Sequence, residues 1–423
     1  MKFQTQIGMH DILPEDEFYY QKVLEVCREI ADFYGFERIE TPILEETQLF
    51  EKGTGGSTDI VHKQMFSLRT LGGDHLTLRP EGTPGIVRAY IQHGMQSLPK
   101  PVKLWYFGPF FRYERPQAGR YRQFYQFGFE SFGIGKSVID AQIIQLFYDI
   151  LKELGFKNLT IEINSIGDSC CRPYYKKSLV SYLRKYQNVL CKDCQRRLRE
   201  NPLRVLDCKQ EKCQRVVRGA PQIIDSLCQE CHDHFQKLLE FLEALELPYH
   251  LNPYLVRGLD YYTRTVFEIY DNKKNEGSRV ALVGGGRYDK LVQLLGGKNT
   301  PACGAAGGVE RIIDLMKAKG EKLNGFSKPT VFLAQVGKLA KRKALSIFEK
   351  LRESNVKVAE AFYKDSLLSQ LSQANRLGVR YVLILGQKEA LENKIIIKDM
   401  KSGHQKTVSV KKMVQEIKKK LKK

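Results

Sequence analysis

Lys103–Phe132 reads KLWYFGPFFRYERPQAGRYRQFYQFGFESF, and its two apolar arms decide the fold. Residues 103–114 and 122–132 each read as a strand, and only a short loop separates them. Strands joined this closely pair antiparallel, because parallel neighbours need a crossover of a dozen or more residues. Strand-like HLTLRPEGT (75–83) precedes the hairpin, and LTIEINSIG (159–167) follows it beyond one helix. Successive strands with few helices between them predict an α+β fold with an antiparallel sheet, not alternating βαβ units. Within 111–130, four arginines and seven aromatic residues suit stacked bases and phosphates. The acidic end, QFGFE, fits a plain nucleic-acid patch badly.

A strand's period of two puts Arg122, Phe124, Gln126, Gly128, Glu130 and Phe132 on one face. Gln126 and Glu130 then flank a gap at Gly128, where an amide and a carboxylate could grip a ligand rich in hydrogen-bonding nitrogen. A bulge glycine between two solvated polar residues is the blander alternative. The first arm adds Phe110, Arg112 and Glu114, so an arginine on each arm could hold an anion above the sheet. Glu81 and Thr83 follow a strand and a proline, and a carboxylate there could pair with an ammonium group or simply end a turn. LVRGLDYYTRTVFE offers Arg257 at a turn, then Tyr262, Arg264 and Val266 on one strand face. LVGGGRYDKL carries Arg287 and Tyr288 but lacks the dinucleotide spacing, and GTGGST (53–58) has no lysine to make a P-loop. The latter reads as a flexible loop.

The 423 residues allow two to four domains, and no apolar run is long enough for a bilayer span of ~20 residues. No apolar signal segment is evident in MKFQTQIGMHDILPEDE, so a cytoplasmic, membrane-free protein is expected. The net charge is +20, and residues 328–423 hold 23 Lys and Arg against 8 Asp and Glu, which is +15 of it. Such asymmetry predicts a C-terminal domain that faces a polyanion, with a solubilising lysine tail as the alternative.

A helix over 15–34 carries Val23, Cys27, Ile30 and Tyr34 as its apolar stripe, and FERIETPILEE (36–46) then reads as an edge strand around Pro42. A second helix spans about 140–154, with Asp140 as N-cap and Gly155 as its stop. Four segments are expected: core residues 1–167, an inserted helical Cys-rich stretch 168–247, more core at 248–325, and an α/β domain at 328–423. The insertion holds Cys191-x2-Cys194, Cys208-x4-Cys213 and Cys228-x2-Cys231. Two such pairs would close a tetrahedral zinc site, but reduced cysteines in a helical module explain them equally. Six cysteines for four places leave the ligand set open, and no ligand is assigned. Cys27, Cys170, Cys171 and Cys303 show no metal spacing.

With these motifs in hand, the chain resembles the class II aminoacyl-tRNA synthetases over its whole length, and within them the histidyl-tRNA synthetase family. FERIETPILEE is similar to motif 1, FRYERPQAGRYRQFYQFGFE to motif 2, and GAAGGVERII to motif 3 ending at Arg311. LRPEGT and RGLDYYTRTVFE resemble the two histidine signatures, the second long and irregular enough to be specific. The resemblance implies a homodimeric ligase that uses ATP with Mg2+ to activate L-histidine and then charges histidine tRNA, reading its acceptor end and anticodon. It implies that Arg112 and Arg257 contact the α-phosphate, that Phe124 stacks near adenine, and that Arg311 holds the far phosphates, with Glu114 beside ATP. It further implies that Glu81, Thr83 and Gln126 hold the α-ammonium of histidine, and that Glu130, Tyr261, Tyr262 and Tyr288 surround the imidazole. Arg115, Arg120 and Arg122 are left for phosphates or the acceptor end. The sequence ACGAAGGVER departs from the family's bulkier pattern and would place two glycines at a helix start. A non-catalytic regulatory paralogue of histidine biosynthesis is the alternative.

Overall fold

Pro14 sits in the first turn of α1 (Pro14–Tyr34), where its missing N–H costs nothing, and Glu15, Asp16 and Glu17 complement the helix dipole there. The buried face of α1 is Tyr20, Val23, Val26, Cys27 and Ala31, so the stripe runs beside the expected one and leaves Ile30 and Tyr34 half-buried. The computed structural model describes residues 3–56, 58–115, 119–272, 281–320 and 329–421. It divides into two compact units, Met1–Lys322 and Leu323–Lys423. The loop residues 116–118, residues 321–328 around the expected boundary of the C-terminal domain, and the last two lysines lie outside the described residues.

After α1 the predicted edge strand is two strands in two sheets. β1 (Glu37–Arg38) joins the main sheet and β2 (Leu44–Glu46) a small one, with Pro42 in the bend between them. Then come α2 (Thr47–Thr54), β3 (Phe66–Arg69), β4 (His75–Leu78) and α3 (Thr83–Gln92). The hairpin follows as β5 (Val102–Phe111) and β6 (Gln123–Phe132), antiparallel in a register that sets Tyr106 opposite Gly128. α4 (Ser137–Glu153) and β7 (Leu159–Ser165) precede a helical stretch of α5 (Arg172–Lys185), α6 (Lys192–Glu200), α7 (Glu211–Val217) and α8 (Gln229–Ala244). β8 (Tyr249–Leu251), β9 (Thr263–Asp271), β10 (Ala281–Arg287), α9 (Leu291–Leu294), β11 (Ala302–Gly308) and α10 (Val309–Ala318) complete the unit.

The main sheet runs β1-β5-β6-β11-β10-β9-β7-β8. Its neighbours are antiparallel except at the two edges, where β1 lies parallel to β5 and β8 to β7. Strands from beyond the helical stretch therefore insert between the hairpin and β7. That insertion brings the turn at Arg257 beside motif 2. Phe127 and Phe129 point to one face and meet Phe147 of α4 at 5.6 and 5.5 Å, while Gln126 and Glu130 point to the other. The helical stretch shares one apolar cluster with the core, since Tyr175, Leu179 and Cys213 are grouped with Tyr262 and Val266.

Asp140 is not a cap. α4 begins at Ser137, and Asp140 is fully buried in its first turn, accepting from His234 Nε2 at 2.7 Å, Thr265 Oγ1 at 2.7 Å and both sides of the Arg287 guanidinium. Burial alone would raise its pKa, yet Arg287 and His234 hold the carboxyl well below the usual range. Gly155 does stop the helix, with φ +84° and its N–H on Lys152 O at 3.0 Å. GTGGST is no loose loop: Gly53 and Thr54 are buried at the end of α2, and Asp260 N–H binds Thr54 O at 3.0 Å. Its Ser57 lies outside the described residues.

The second unit contains β12 (Val331–Gln335), α11 (Lys338–Glu353), β13 (Val358–Glu360), α12 (Leu367–Leu377), β14 (Tyr381–Leu385), α13 (Gln387–Glu392), β15 (Lys394–Asp399), β16 (Gln405–Ser409) and α14 (Val410–Leu421). Its sheet order is β13-β12-β14-β15-β16, parallel among the first three and antiparallel beyond. Val331 and Leu333 face one apolar layer and Phe332 and Ala334 another, which explains the continuous runs VFLA and YVLIL. Among the described residues no helix is long and apolar enough to cross a membrane.

Candidate active site

The hairpin, the start of α3, the 257–262 turn and the β11–α10 junction enclose a cavity of about 220 Å3 in the first unit. Glu81, Thr83, Arg112, Glu114, Phe124, Gln126, Arg257, Tyr261, Tyr262 and Arg311 all line it. Glu130 and Tyr288 lie just behind the wall, both almost wholly buried. Tyr288 donates to Glu130 Oε2, and Thr83 Oγ1 donates to Glu130 Oε1 at 2.7 Å. The residues that the resemblance assigns to histidine and ATP therefore converge on one place.

Cations and acids both line the cavity. Arg112 leaves the end of β5, is fixed by Nε on Pro80 O at 2.8 Å, and lies 5.3 Å over the Phe124 ring. Arg311, in the first turn of α10, donates Nε to Gly119 O and Nη1 to Ala281 O, each at 3.0 Å. Burial and the charges of Arg120 and Arg112 lower its pKa. Arg257 is ion-paired with Glu268, and its buried Nε has no hydrogen-bond partner. Burial disfavours its charge, but Glu268 and the flanking tyrosines more than offset that and raise its pKa.

Among the acids, Glu81 Oε2 accepts from Tyr261 OH at 2.8 Å, while Oε1 is buried without a partner. Burial pushes the Glu81 carboxyl up to about 7 against the pull of Tyr261, Arg112 and Arg257. Glu130 rises to about 8, because burial and repulsion from Glu81 outweigh the bonds from Tyr288 and Thr83. Two buried carboxyls, one of them with an unpartnered oxygen on Glu81, are prepared to receive a donor-rich, cationic ligand.

Period-two reasoning fails at two points. The gap at Gly128 is filled by the Tyr106 ring, which a Cβ at 128 would strike. Tyr106 thus lines the cavity, although the alternation of β5 through Phe110 and Arg112 already pointed to its face. Arg264 takes φ +52° at a register shift in β9 and turns away from Tyr262 to pair with Asp168 and Glu230, both at 3.2 Å. Glu81 and Thr83 do follow a strand, since β4 ends at Leu78 and Thr83 opens α3. Glu268 was missed too, though it continues the alternation from Val266.

The two glycines before Arg311 do lead into a helix, with Gly308 as the N-cap of α10, but they also close a strand. That strand is β11, where a side chain on Gly304 would strike the Glu130 carboxylate and one on Gly307 the Phe127 ring. Arg122 is not left over for phosphate: it stacks 4.0 Å over Tyr113 and donates to Glu114 O at 3.3 Å. Arg120 pairs with Glu114 at 3.4 Å, and Arg115 is exposed. Arg287 belongs to the buried Asp140 network and not to the cavity.

The chain matches a family model described as Histidyl-tRNA synthetase over residues 8–312 and one described as Anticodon binding domain over 330–420. A "Histidine--tRNA ligase" of Dehalococcoides mccartyi is 44% identical over 419 residues, 99% of this chain and 100% of that one. One from Aquifex aeolicus is 45% identical over 410 residues, 97% and 99% of the two chains. The solved apo S. aureus histidyl-tRNA synthetase aligns with a TM-score of 0.82 at 34% identity, covering 98% of this chain and 99% of that one. With the motifs, the fold and these matches in agreement, the chain belongs to the histidyl-tRNA synthetase family of class II aminoacyl-tRNA synthetases.

Proposed function

We propose that this chain joins L-histidine to the 3′ end of histidine tRNA in two steps, through histidyl-adenylate, consuming ATP and releasing pyrophosphate and AMP. One observation carries the reading: Arg112, Arg257 and Arg311 line the same cavity as the buried, open oxygen of Glu81. The cations suit a nucleotide's phosphates, and the acid suits an amino acid's ammonium group. The cavity is thus built for both partners of an adenylation.

Adenylation is an in-line attack of the histidine carboxylate on the α-phosphorus. That carboxylate is already ionised, so no general base is needed, and positioning with cationic stabilisation supplies the rate. Arg112 and Arg257 act on the α-phosphate, Phe124 stacks near adenine beside Glu114, and Arg311 takes the far phosphates. Magnesium arrives with ATP as part of the substrate. Glu81, Thr83 and Gln126 hold the α-ammonium. Glu130 with Tyr288, and Tyr261 with Tyr262, surround the imidazole; leaving such buried polar groups unsatisfied rejects side chains without ring nitrogens.

The second unit takes the anticodon end, and the exposed Arg115 and Arg120 lie toward the acceptor end. Ile43 and Leu44, exposed apolar side chains next to Pro42, support a homodimer through motif 1. Sedimentation equilibrium should give twice the 48.7 kDa chain mass; a single chain mass contradicts it. Ten free cysteines suit a reducing, cytoplasmic location, which cell fractionation checks. A regulatory paralogue is not favoured, since all three arginines and the anticodon-binding match are present.

The test is histidine-dependent ATP–pyrophosphate exchange with the purified protein. Exchange stimulated by histidine and by no other amino acid is expected. Arg257→Ala should cut the rate about 10²–10³-fold, as removal of a charge-stabilising donor does, with much less effect on histidine binding. No exchange with folded protein would reject the proposal.

A further inference from the structure

Seven of the ten cysteines converge at two places in the first unit, while Cys27, Cys170 and Cys303 do not join them. Cys191, Cys194, Cys208 and Cys213, all buried, bring their four sulfurs within 4.8 Å of one another. Cys171, Cys228, Cys231 and a carboxylate oxygen of Asp168 do the same. The six spaced cysteines thus divide four and two, and the second pair is completed by Cys171, which carried no spacing signal.

The geometry matches a tetrahedral thiolate site. Zinc–sulfur bonds of ~2.3 Å set the sulfurs about 3.8 Å apart along a tetrahedron's edge. Cys191 Sγ and Cys208 Sγ stand 3.9 Å apart. A disulfide would need about 2.05 Å, and all ten thiols are free.

Both x2 pairs also occupy the same place on a helix. Cys191 is the N-cap of α6 with Cys194 in its first turn, and Cys228 is the N-cap of α8 with Cys231 in its first turn. Backbone donors aim at the sulfurs: Cys194 N–H to Cys191 Sγ at 3.4 Å, Cys191 N–H to Cys213 Sγ at 3.3 Å, and Cys228 N–H to Cys171 Sγ at 3.1 Å. Donors and helix N-termini favour thiolate over thiol. Cysteines buried only as small apolar residues have no need of them. Several thiolates confined together repel unless a cation sits among them, and soft thiolates with closed tetrahedral spacing select zinc.

We propose that the helical stretch holds two structural zinc ions, one on Cys191, Cys194, Cys208 and Cys213, and one on Asp168, Cys171, Cys228 and Cys231. The first lies at the base of a segment that props the cavity. Between its ligand pairs, Arg197 and Arg204 hold Asp59 at 2.7 and 3.2 Å, and Arg204 Nη1 donates to Arg257 O at 3.1 Å. Asn201 donates to Asp260 at 2.7 Å in the same turn. The second ties the chain leaving β7 to α8, next to the Arg264–Asp168 pair.

The probe is zinc itself, measured by plasma emission on full-length protein purified without chelator or metal-affinity resin. Two zinc per chain are expected, falling to one in Cys208→Ser and to one in Cys228→Ser. On the wild-type protein, stepwise thiol modification with an organomercurial should release both ions into a chromogenic chelator, so a variant that fails to fold does not decide the matter. Cobalt grown into the protein in place of zinc should show the intense visible bands of tetrahedral thiolate coordination. Zinc no higher than in a metal-free control protein overturns both sites. One zinc that survives Cys228→Ser and is lost in Cys208→Ser overturns the second site, and the reverse overturns the first.

Discussion

Glu81 carries two oxygens with different fates: one accepts from Tyr261, and the other is buried with no donor. An unsatisfied buried acceptor costs about 1–3 kcal/mol, so the free site is primed for a ligand that brings donors. Tyr261 and Arg257 of one turn and Arg112 at the end of β5 face the carboxyl, with Glu130 across the site, yet burial prevails and its pKa stands at about 7. An ammonium bound there favours the ionised form and drives the proton off. Between about 4.5 and about 7 the free protein therefore holds a proton that the histidine complex does not, and affinity rises with pH across that window before flattening. The same raised pKa lowers the stability of the free protein as pH rises through the window, because the unfolded chain ionises first; histidine offsets that loss. Isothermal titration at pH 7 in buffers of different ionisation enthalpy should show the wild type releasing about half a proton more than Glu81→Gln. That variant should bind histidine about 10–100-fold more weakly, the worth of a charged hydrogen bond. Equal proton release by the two proteins contradicts the role assigned to Glu81.

At the scale of elements, what the chain disclosed was what local chemistry decides. The hairpin, α1, the stop at Gly155 and the continuous apolar strands of the second unit follow from alternation, helical spacing and a glycine in left-handed conformation. The parts that stayed hidden depend on partners far along the chain. Asp140 looks like a cap because its real partners, His234, Thr265 and Arg287, lie 94, 125 and 147 residues away. GAAGG does end at a helix start, but the reason for its glycines was hidden, since Gly304 is required by Glu130 and Gly307 by Phe127, neither of which is local. Tyr106 fills the gap at Gly128 through cross-strand register, and a bulge at Arg264 reverses the face of one residue without any sequence mark. The roles of Arg257 and Tyr261 were likewise not legible in spacing; they came from resemblance to a family signature. The division of the cysteines is the same case, since Cys171 meets Cys228 from 57 residues away.

For the whole molecule, the charge division separates the two proposed half-reactions. Residues 328–423 carry +15 and the rest of the chain only +5. α14 alone bears Lys411, Lys412, Lys418, Lys419 and Lys420. Histidine and ATP enter a cavity whose arginines are at most half-exposed or already paired, where salt screens weakly. A tRNA approaches an exposed basic surface and displaces counterions as it binds, so its affinity falls steeply with salt. Raising monovalent salt from ~50 to ~200 mM should therefore raise KM for tRNA about tenfold or more in the charging reaction. Histidine-dependent pyrophosphate exchange should change by less than about twofold over the same range, because its small anions bind in the cavity and release no counterion atmosphere of a nucleic acid. Steady-state kinetics of both reactions on one preparation make the comparison. Parallel salt dependence of the two would mean that the basic C-terminal unit does not carry tRNA binding, and that its lysines serve only solubility.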